Sequence, residues 1–289
     1  MSAHPALTAV AAHLRCPHCG APLQHVDQTL RCDAGHSFDC ARQGHVTLPP
    51  PRGAGGPRGD SAQMVAARET FLGAGHYAPI AEAVTVAARD AANDGGEEPV
   101  VVDLGAGTGY YLAALLDGLP GAWSGIALDS SAPALRSATR QHPRIAAVVC
   151  DIWRALPLQD AVADLIVNVF APRNGPEIAR VLAAHGALVV VTPTDRHLRE
   201  LVPALGMLDV GVDKQARLRG ALAPDLEPVG AREVDIELTL GHADVRALVA
   251  MGPSAHHISA DDLDQRIAQL SDRVAVTASV SVETFRRAP

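Results

Sequence analysis

The sequence predicts an α/β fold: a parallel sheet laced with helices, finished by an antiparallel strand pair and preceded by a small metal-stapled module. Three observations carry this. From Pro99 onward, short apolar runs alternate with helical patterns, as in a parallel sheet. The first of those runs, Pro99-Val100-Val101-Val102, leads into Asp103-Leu104-Gly105-Ala106-Gly107-Thr108-Gly109 and then straight into a helix-like stretch. Ahead of both, four of the five cysteines crowd between residues 16 and 40.

Taken in order, residues 1–48 read as a zinc-binding module. Cys16-Pro17-His18-Cys19-Gly20 sets two thiols two residues apart around a tight turn, and Cys32-Asp33-Ala34-Gly35-His36 adds a thiol and an imidazole. Cys16, Cys19, Cys32 and His36 can close a tetrahedral zinc site, with Pro22-Leu23 and Thr29-Leu30-Arg31 as the short hairpin of a zinc ribbon. His18 and Cys40 are the alternative ligands. So small a module cannot fold on apolar burial alone, and four protein ligands leave no position for a reacting water, so the zinc is structural. An odd cysteine count without a secretory signal also favours metal or free thiols over disulfides.

Residues 49–60, rich in proline and glycine with Arg52 and Arg58 among them, read as a linker, and 61–289 as the main domain. Asp60-Ser61 caps a helix carrying Met64, Val65, Phe71 and Leu72, stopped by Gly73-Ala74-Gly75, and a second helix begins near His76-Tyr77. Both are expected over the cofactor end of the sheet. Strands then follow near 99–104, 123–129, 145–150, 163–170 and 186–192, with helices near 109–117, 131–141, 174–184 and 195–205. The tail predicts helices near 213–222, 242–251 and 260–270, and long alternating strands near 231–240 and 274–286. An antiparallel pair added to five parallel strands makes the seven-stranded sheet of a class I, Rossmann-like methyltransferase.

The glycine run decides the ligand. Its glycines let backbone approach a nucleotide closely, and the following helix N-terminus offers free N–H groups. A dinucleotide fingerprint would put its third glycine where Tyr110 stands. Here the glycines are 105, 107 and 109, and Asp103 precedes them, which suits S-adenosylmethionine: a carboxylate there can hold the cationic amino group. Asp129, closing the strand Trp123-Ser124-Gly125-Ile126-Ala127-Leu128, is placed for the ribose hydroxyls, and Asp151 for the adenine amino group.

Composition narrows the class. Hydrophobic residues make up 48% and aromatic ones 3%, so alanine, valine and leucine must fill an ample core. No run of eighteen apolar residues and no leader-like pattern occurs, so a cytoplasmic protein with no membrane partner is expected. The net charge of −8 argues against nonspecific nucleic-acid binding, but residues 1–72 hold six Arg and six His against five acids, so a polyanion would meet the front end first.

The residues as a set resemble the bacterial 23S rRNA guanine-N1 methyltransferases. The resemblance is carried by the zinc knuckle, by Gly35-His36-Ser37-Phe38-Asp39 with Ala41-Arg42-Gln43-Gly44-His45-Val46-Thr47-Leu48, and by Gly59-Asp60-Ser61 with Ala67-Arg68, Phe71-Leu72 and Gly75-His76-Tyr77. Thr192-Pro193 with Arg196-His197-Leu198, and Met251-Gly252-Pro253, close it. Asn168-Val169-Phe170-Ala171-Pro172-Arg173-Asn174 looks most like the branch that includes the tylosin and mycinamicin resistance enzymes. The resemblance implies zinc at the four residues named above and cofactor contacts by Tyr77, Gly107-Thr108 and His197. It also implies a hairpin of 23S rRNA as substrate, and a homodimer whose zinc modules flank an RNA cleft. His45 and Thr47 depart from the family's usual Tyr or Asn, which puts RNA contact there in doubt.

Methylation at guanine N1 needs the base out of its pair and the N1 proton gone. Asn168, at the end of the fourth strand, is the candidate for gripping the base edge, and Asp60 for accepting the proton. Arg68 and Arg173 are candidates for RNA contact. Two rivals stand beside this reading: a small-molecule methyltransferase with a zinc-bearing lid, and a non-catalytic zinc RNA-binding module.

Overall fold

A computed structural model describes residues 4–49, 59–92, 98–207 and 214–288. Most of the linker expected at 49–60, with Arg52 and Arg58, lies outside the described residues. In the front segment come helix α1 (Pro5–Val10) and strands β1 (Gln24–Val26), β2 (Thr29–Arg31), β3 (Ser37–Asp39) and β4 (His45–Thr47). Helices α2 (Ala62–Gly73) and α3 (Ala78–Ala91) follow, then β5 (Val100–Leu104), α4 (Tyr110–Gly118), β6 (Ser124–Asp129), α5 (Ala132–Gln141), β7 (Ile145–Val149), β8 (Ala163–Val169) and α6 (Gly175–Val181). The chain continues through β9 (Leu182–Pro193), α7 (Leu201–Leu205), α8 (Lys214–Leu222), β10 (Leu226–Gly241), α9 (His242–Ala250), α10 (Ala260–Ile267) and β11 (Arg273–Arg287).

The first three strands form a small antiparallel sheet, and the rest form one large sheet in the order β10-β11-β9-β8-β5-β6-β7-β4. Strands β4 to β9 in that sheet run parallel, and β11 and β10 add the antiparallel pair. The sheet therefore has eight strands among the described residues rather than the seven expected. The extra one is β4, paired in parallel with β7 from His45↔Ala147 to Thr47↔Val149. Three residues are too short a run to read as a strand of a distant sheet, so the sequence hides it. The boundary drawn at residue 48 thus falls at the end of a strand that the main sheet owns. His45 is 7% exposed in β4, so the first of the two departures from the family pattern lies inside the sheet edge, while Thr47 is exposed.

Because β side chains alternate between faces, each strand of the parallel core feeds two separate cores. Val101, Ala127, Ala147, Leu165 and Val189 point to one face, against α3, α4, α5 and α9. Val100, Val102, Ile126, Val148, Ile166 and Leu188 point to the other. On that second face the crossover from β7 to β8, residues 150–162, contains no helix of its own. The front segment fills the gap: Leu7, Val10 and Leu14 pack there with Leu156 and Leu158, and the two chains are stitched by the Leu14↔Leu158 bridge and by the amides of Arg15 and Gln159, which donate to Pro157 and His13. Helix α1, which no sequence signal marked, belongs to that layer.

The helix expected over 195–205 is shorter. The amides of Thr194 and Leu198 donate to the carbonyls of Ser279 and Thr277 on β11, which holds this stretch in turns, and only Leu201–Leu205 is helical. Of the two helices before the first strand, α2 lies against α5 and α9 near the glycine loop, whereas α3 covers a sheet face beside α4, β9 and β11 rather than the end. No helix among the described residues is long and apolar enough to cross a membrane.

Candidate functional site

The metal centre is built by β-turns of the front segment. Cys16, Cys19, Cys32 and His36 bring one ligand atom each within 4.8 Å of one another. Cys16 Sγ lies 3.6 Å from His36 Nδ1, Cys32 Sγ 3.4 Å from the same nitrogen, and Cys19 Sγ 3.6 Å from Cys32 Sγ. Tetrahedral zinc at about 2.3 Å from sulfur and about 2.0–2.1 Å from nitrogen sets its ligands about 3.5–3.8 Å apart, so the cluster fits zinc. Positive φ at Gly20 (78°) and Gly35 (85°) lets each knuckle fold back. The two alternative ligands fall outside: His18 stacks on Phe38 and tilts against His36 with ring centroids 5.7 and 4.9 Å away, and Cys40 faces His25 Nε2 at 3.8 Å. Cys16 is buried in the core shared with the sheet, so the staple fastens the layer that covers the second face.

The second centre lies at the carboxyl ends of β5 and β6. Gly105, Gly107 and Gly109 all take positive φ (78°, 53° and 77°), which side-chain-bearing residues rarely adopt. Space is short as well: a Cβ on Gly105 would sit 2.4 Å from Ala171 Cβ and one on Gly109 2.9 Å from Ala138 Cβ, while one on Gly107 would meet the Arg68 guanidinium at 3.0 Å. Thr108 is 3% exposed within the turn.

Two acids flank this turn. Asp103 is 2% exposed, and burial pushes its carboxyl up to about 8, with the negative charge of Asp129 adding to the push. Asp129 is likewise raised by burial, but the amides of Ser131 and Gly107 oppose the rise by donating to Oδ1 and Oδ2 at 2.8 and 2.9 Å. Asp129 thereby clamps the glycine loop to the end of β6. A buried carboxyl beside a second acid wants a cation, and a glycine cradle wants a close ligand: the pair fits the cationic amino acid and ribose of S-adenosylmethionine. Asp151 accepts from Trp153 N–H at 3.0 Å and pairs with Arg154 at 3.1 Å, at the mouth of the adjacent loop.

Opposite the loop stands an aromatic wall. Tyr77 is 2% exposed, its hydroxyl held up by burial, and its Oη lies 3.4 Å from His197 Nε2. Since His197 Nδ1 accepts the Ser279 amide at 3.2 Å, the ring proton sits on Nε2 and points at Tyr77. The Tyr77 hydroxyl proton can therefore turn to another acceptor. Phe170 completes the wall, with ring centroids 6.3 Å from Tyr77 and 5.8 Å from His197.

Four residues are expected to touch substrate: Asn168, Asp60, Arg68 and Arg173. Asn168 has no exposed surface: its amide donates to Leu104 O at 3.0 Å and to Pro172 O at 2.9 Å, and Oδ1 is buried without a protein partner. It ties the end of β5 to the loop after β8, so it is a positioning residue before it is a base grip. Asp60 is not the helix cap; Ser61 is, accepting from Met64 N–H, while Asp60 pairs with Arg68 at 2.7 Å. Arg68 also donates to Met251 O at 2.8 Å and lies against Gly107, so its guanidinium faces the glycine loop. Arg173 is half-buried, which lowers its pKa, offset in part by Glu283; it bonds Ala171 O at 3.3 Å. The sequence reading missed the clasp between Gly59-Asp60 and Ser130-Ser131, where Ser131 Oγ donates to Asp60 O at 2.7 Å, and it missed Phe170.

Comparison with known proteins agrees with this geometry. A family described as "RlmA, N-terminal" matches residues 14–52 and a methyltransferase domain matches residues 101–189. A protein from Micromonospora griseorubida named among the 23S rRNA (guanine-N(1)-)-methyltransferases is 52% identical over 290 residues, covering 95% of this chain and 97% of its own. The 23S rRNA (guanine(748)-N(1))-methyltransferase of Streptomyces fradiae is 48% identical over 282 residues, covering 97% of this chain and 99% of its own. A solved methyltransferase structure from Bacillus halodurans shares the fold, with a TM-score of 0.51 at 13% identity over 71% of this chain and 98% of that one. With about half of all positions shared along both whole chains, and with the zinc cluster and the glycine loop both in place, the chain belongs to the 23S rRNA (guanine-N1)-methyltransferases.

Proposed function

We propose that this protein methylates N1 of the guanine in 23S rRNA that corresponds to position 748 of the Streptomyces fradiae enzyme's name, and that it thereby confers macrolide resistance. The observation that carries the chemistry is the glycine cradle with Asp103 and Asp129 at neighbouring strand ends, beside a loop tied down by Asn168. When bound, S-adenosylmethionine would supply an electrophilic methyl group: N1 would bond to the methyl carbon as its bond to sulfur breaks, with S-adenosylhomocysteine as leaving group and the N1 proton released to solvent. The protein's share is positional, since an in-line displacement gains most from alignment and exclusion of water. In this reading Asp103 holds the amino group, Asp129 the ribose and Asp151 the adenine. Tyr77 and His197 face the methionine end, and the backbone of Gly105, Gly107 and Thr108 lies along the ligand. Asp60 and Arg68 hold the start of α2 against the glycine loop, and Arg173 supports the loop that follows Asn168.

We assign residues 1–48 to RNA approach as well as to the cover of the sheet. The protein is proposed to act in the cytoplasm as a homodimer with paired zinc modules, a mass that light scattering at micromolar concentration would show as twice 30.0 kDa.

The test is direct. The protein, labelled S-adenosylmethionine and a deproteinised 23S rRNA hairpin are mixed, and the product is read by primer extension. A methyl on N1 blocks the base-pairing edge, so a reverse transcriptase stop at one guanine is expected. Label found only in a small metabolite, or a stop at a base other than guanine, would remove this reading. Expression in a macrolide-sensitive host should raise the tolerated tylosin concentration, and an unchanged tolerance would separate resistance from methylation.

A further inference from the structure

We infer that Phe170 is the platform on which the extruded guanine stacks. This rests on the guanine reading above and adds to it the surface that receives the base.

The chain has four Phe, three Tyr and two Trp. Only Phe170, at 40%, and Trp153, at 55%, are exposed. Both stand next in sequence to a residue at Gly105, since a Cβ there would meet Ala171 at 2.4 Å and Ile152 at 3.6 Å, but it is Phe170 whose ring joins Tyr77 and His197. Its ring leans on Tyr77 and His197 at centroid distances of 6.3 and 5.8 Å, and part of its surface stays exposed. Its backbone is also strained, with φ at 54° in a region where a bulky side chain is an outlier. The Phe170 amide donates to Val191 O at 3.1 Å and the Asn168 amide holds Pro172 O, so the loop is fixed in this conformation from both sides.

Folding explains neither feature. Apolar burial favours a hidden phenylalanine, and local sterics favour glycine at a positive φ. An exposed, strained aromatic held by the surrounding structure is what a binding site retains against stability. Guanine N1 lies in the pairing edge, so the base must leave its stack before it can react. An aromatic face replaces the stacking that is lost and tolerates a base of either orientation. Phe170 offers that face on the loop that crosses the cofactor turn.

The experiment uses the full chain and the rRNA hairpin under single-turnover conditions with RNA in saturating amount. Phe170→Leu keeps apolar volume without a ring and should slow methylation about 5- to 150-fold, the fold-change of about 1–3 kcal/mol lost when a stacking ring is removed. Phe170→Trp should stay within about threefold of the parent. Trp153→Leu, which removes the other exposed ring, should leave the rate at saturating RNA at the parent value. Affinity for S-adenosylhomocysteine, read by calorimetry, should not change in Phe170→Leu. Phe170→Gly should melt above Phe170→Ala while both are equally slow, which separates lost stacking from lost stability. A Phe170→Leu rate equal to the parent, a loss that follows falling S-adenosylhomocysteine affinity, or an effect on RNA concentration alone would each overturn the platform. A parent protein that leaves the hairpin unmethylated would overturn the guanine reading and the platform together; with an active parent, the variants bear on the platform alone.

Discussion

Replacing Asp103 with asparagine is expected to raise the melting temperature of the cofactor-free protein at pH 8 while weakening S-adenosylmethionine binding at least about tenfold. The two effects share one cause. The carboxyl is buried, and its pKa in the folded protein is about 8 against an ordinary 3.8. The folded state therefore holds this proton more tightly than the unfolded state does. Stability from this group is full below pH 3.8, falls by about 1.4 kcal/mol per pH unit above it, and levels off above pH 8. Asparagine never ionises, so the variant escapes that loss. Its advantage should be near zero at pH 4 and a few kcal/mol at pH 8, or about 5 °C or more in melting temperature. The same buried carboxylate, once opposite the ammonium of S-adenosylmethionine, becomes an ion pair in a dry setting, and asparagine cannot replace it. 5′-Methylthioadenosine, which lacks the amino acid, should bind parent and variant alike. Equal losses for both ligands, or a melting curve that gains nothing with pH, would show that Asp103 does not meet the amino group.

The same residue shows what could be read from the chain. The strand, the glycine turn and both acids follow from local rules, because a turn that needs positive φ at three alternating positions leaves a glycine signature and a strand-end acid keeps its spacing. The zinc ligands were legible for the same reason: Cys-x-x-Cys and Cys-x₃-His are local constraints. The places where reading stopped are those set by distant contacts. Three residues at 45–47 carry no sign that they pair with residues 147–149. Arg68 looks like any helical arginine until the fold sets it between Asp60, Met251 and Gly107. Asn168 looks like a strand-end polar residue reaching outward, yet tertiary packing turns its amide onto Leu104 and Pro172. Glu283 sits in an alternating strand where a solvent-facing acid is the ordinary reading, but it is fully buried and paired with Arg219. Backbone strain at Phe170 leaves no trace in composition at all.

Removing zinc, by chelation or by Cys16→Ser, is expected to damage the methyltransferase domain itself and not merely the ribbon. Were residues 1–48 an appendage, loss of metal would unravel three short strands and leave the glycine loop intact. The structure places far more on the staple. Cys16 and Cys32 are buried with Leu23, Leu30 and Phe38 in a core continuous with Val100, Val102, Ile126 and Val148 of the main sheet. The chain then runs from the ribbon into β4, the edge strand on β7. The Gln159 side chain bonds the carbonyls of Leu14 and Gly20, so the knuckle is also hooked to the helix-free crossover. Metal binding energy in so small a module is folding energy. Releasing it frees the cover of one sheet face, exposing valine and isoleucine side chains worth about 1.5–3 kcal/mol each when buried. The expected result is a fall in melting temperature on the order of 10 °C, strong binding of a hydrophobic dye, and weaker S-adenosylmethionine binding, all restored by added zinc. The loss should be steeper than that caused by Cys40→Ser, since Cys40 faces His25 outside the ligand cluster. An unchanged melting curve with unchanged cofactor affinity after complete zinc removal would mean that the front segment holds the sheet face without its metal, and that the ribbon serves the RNA alone.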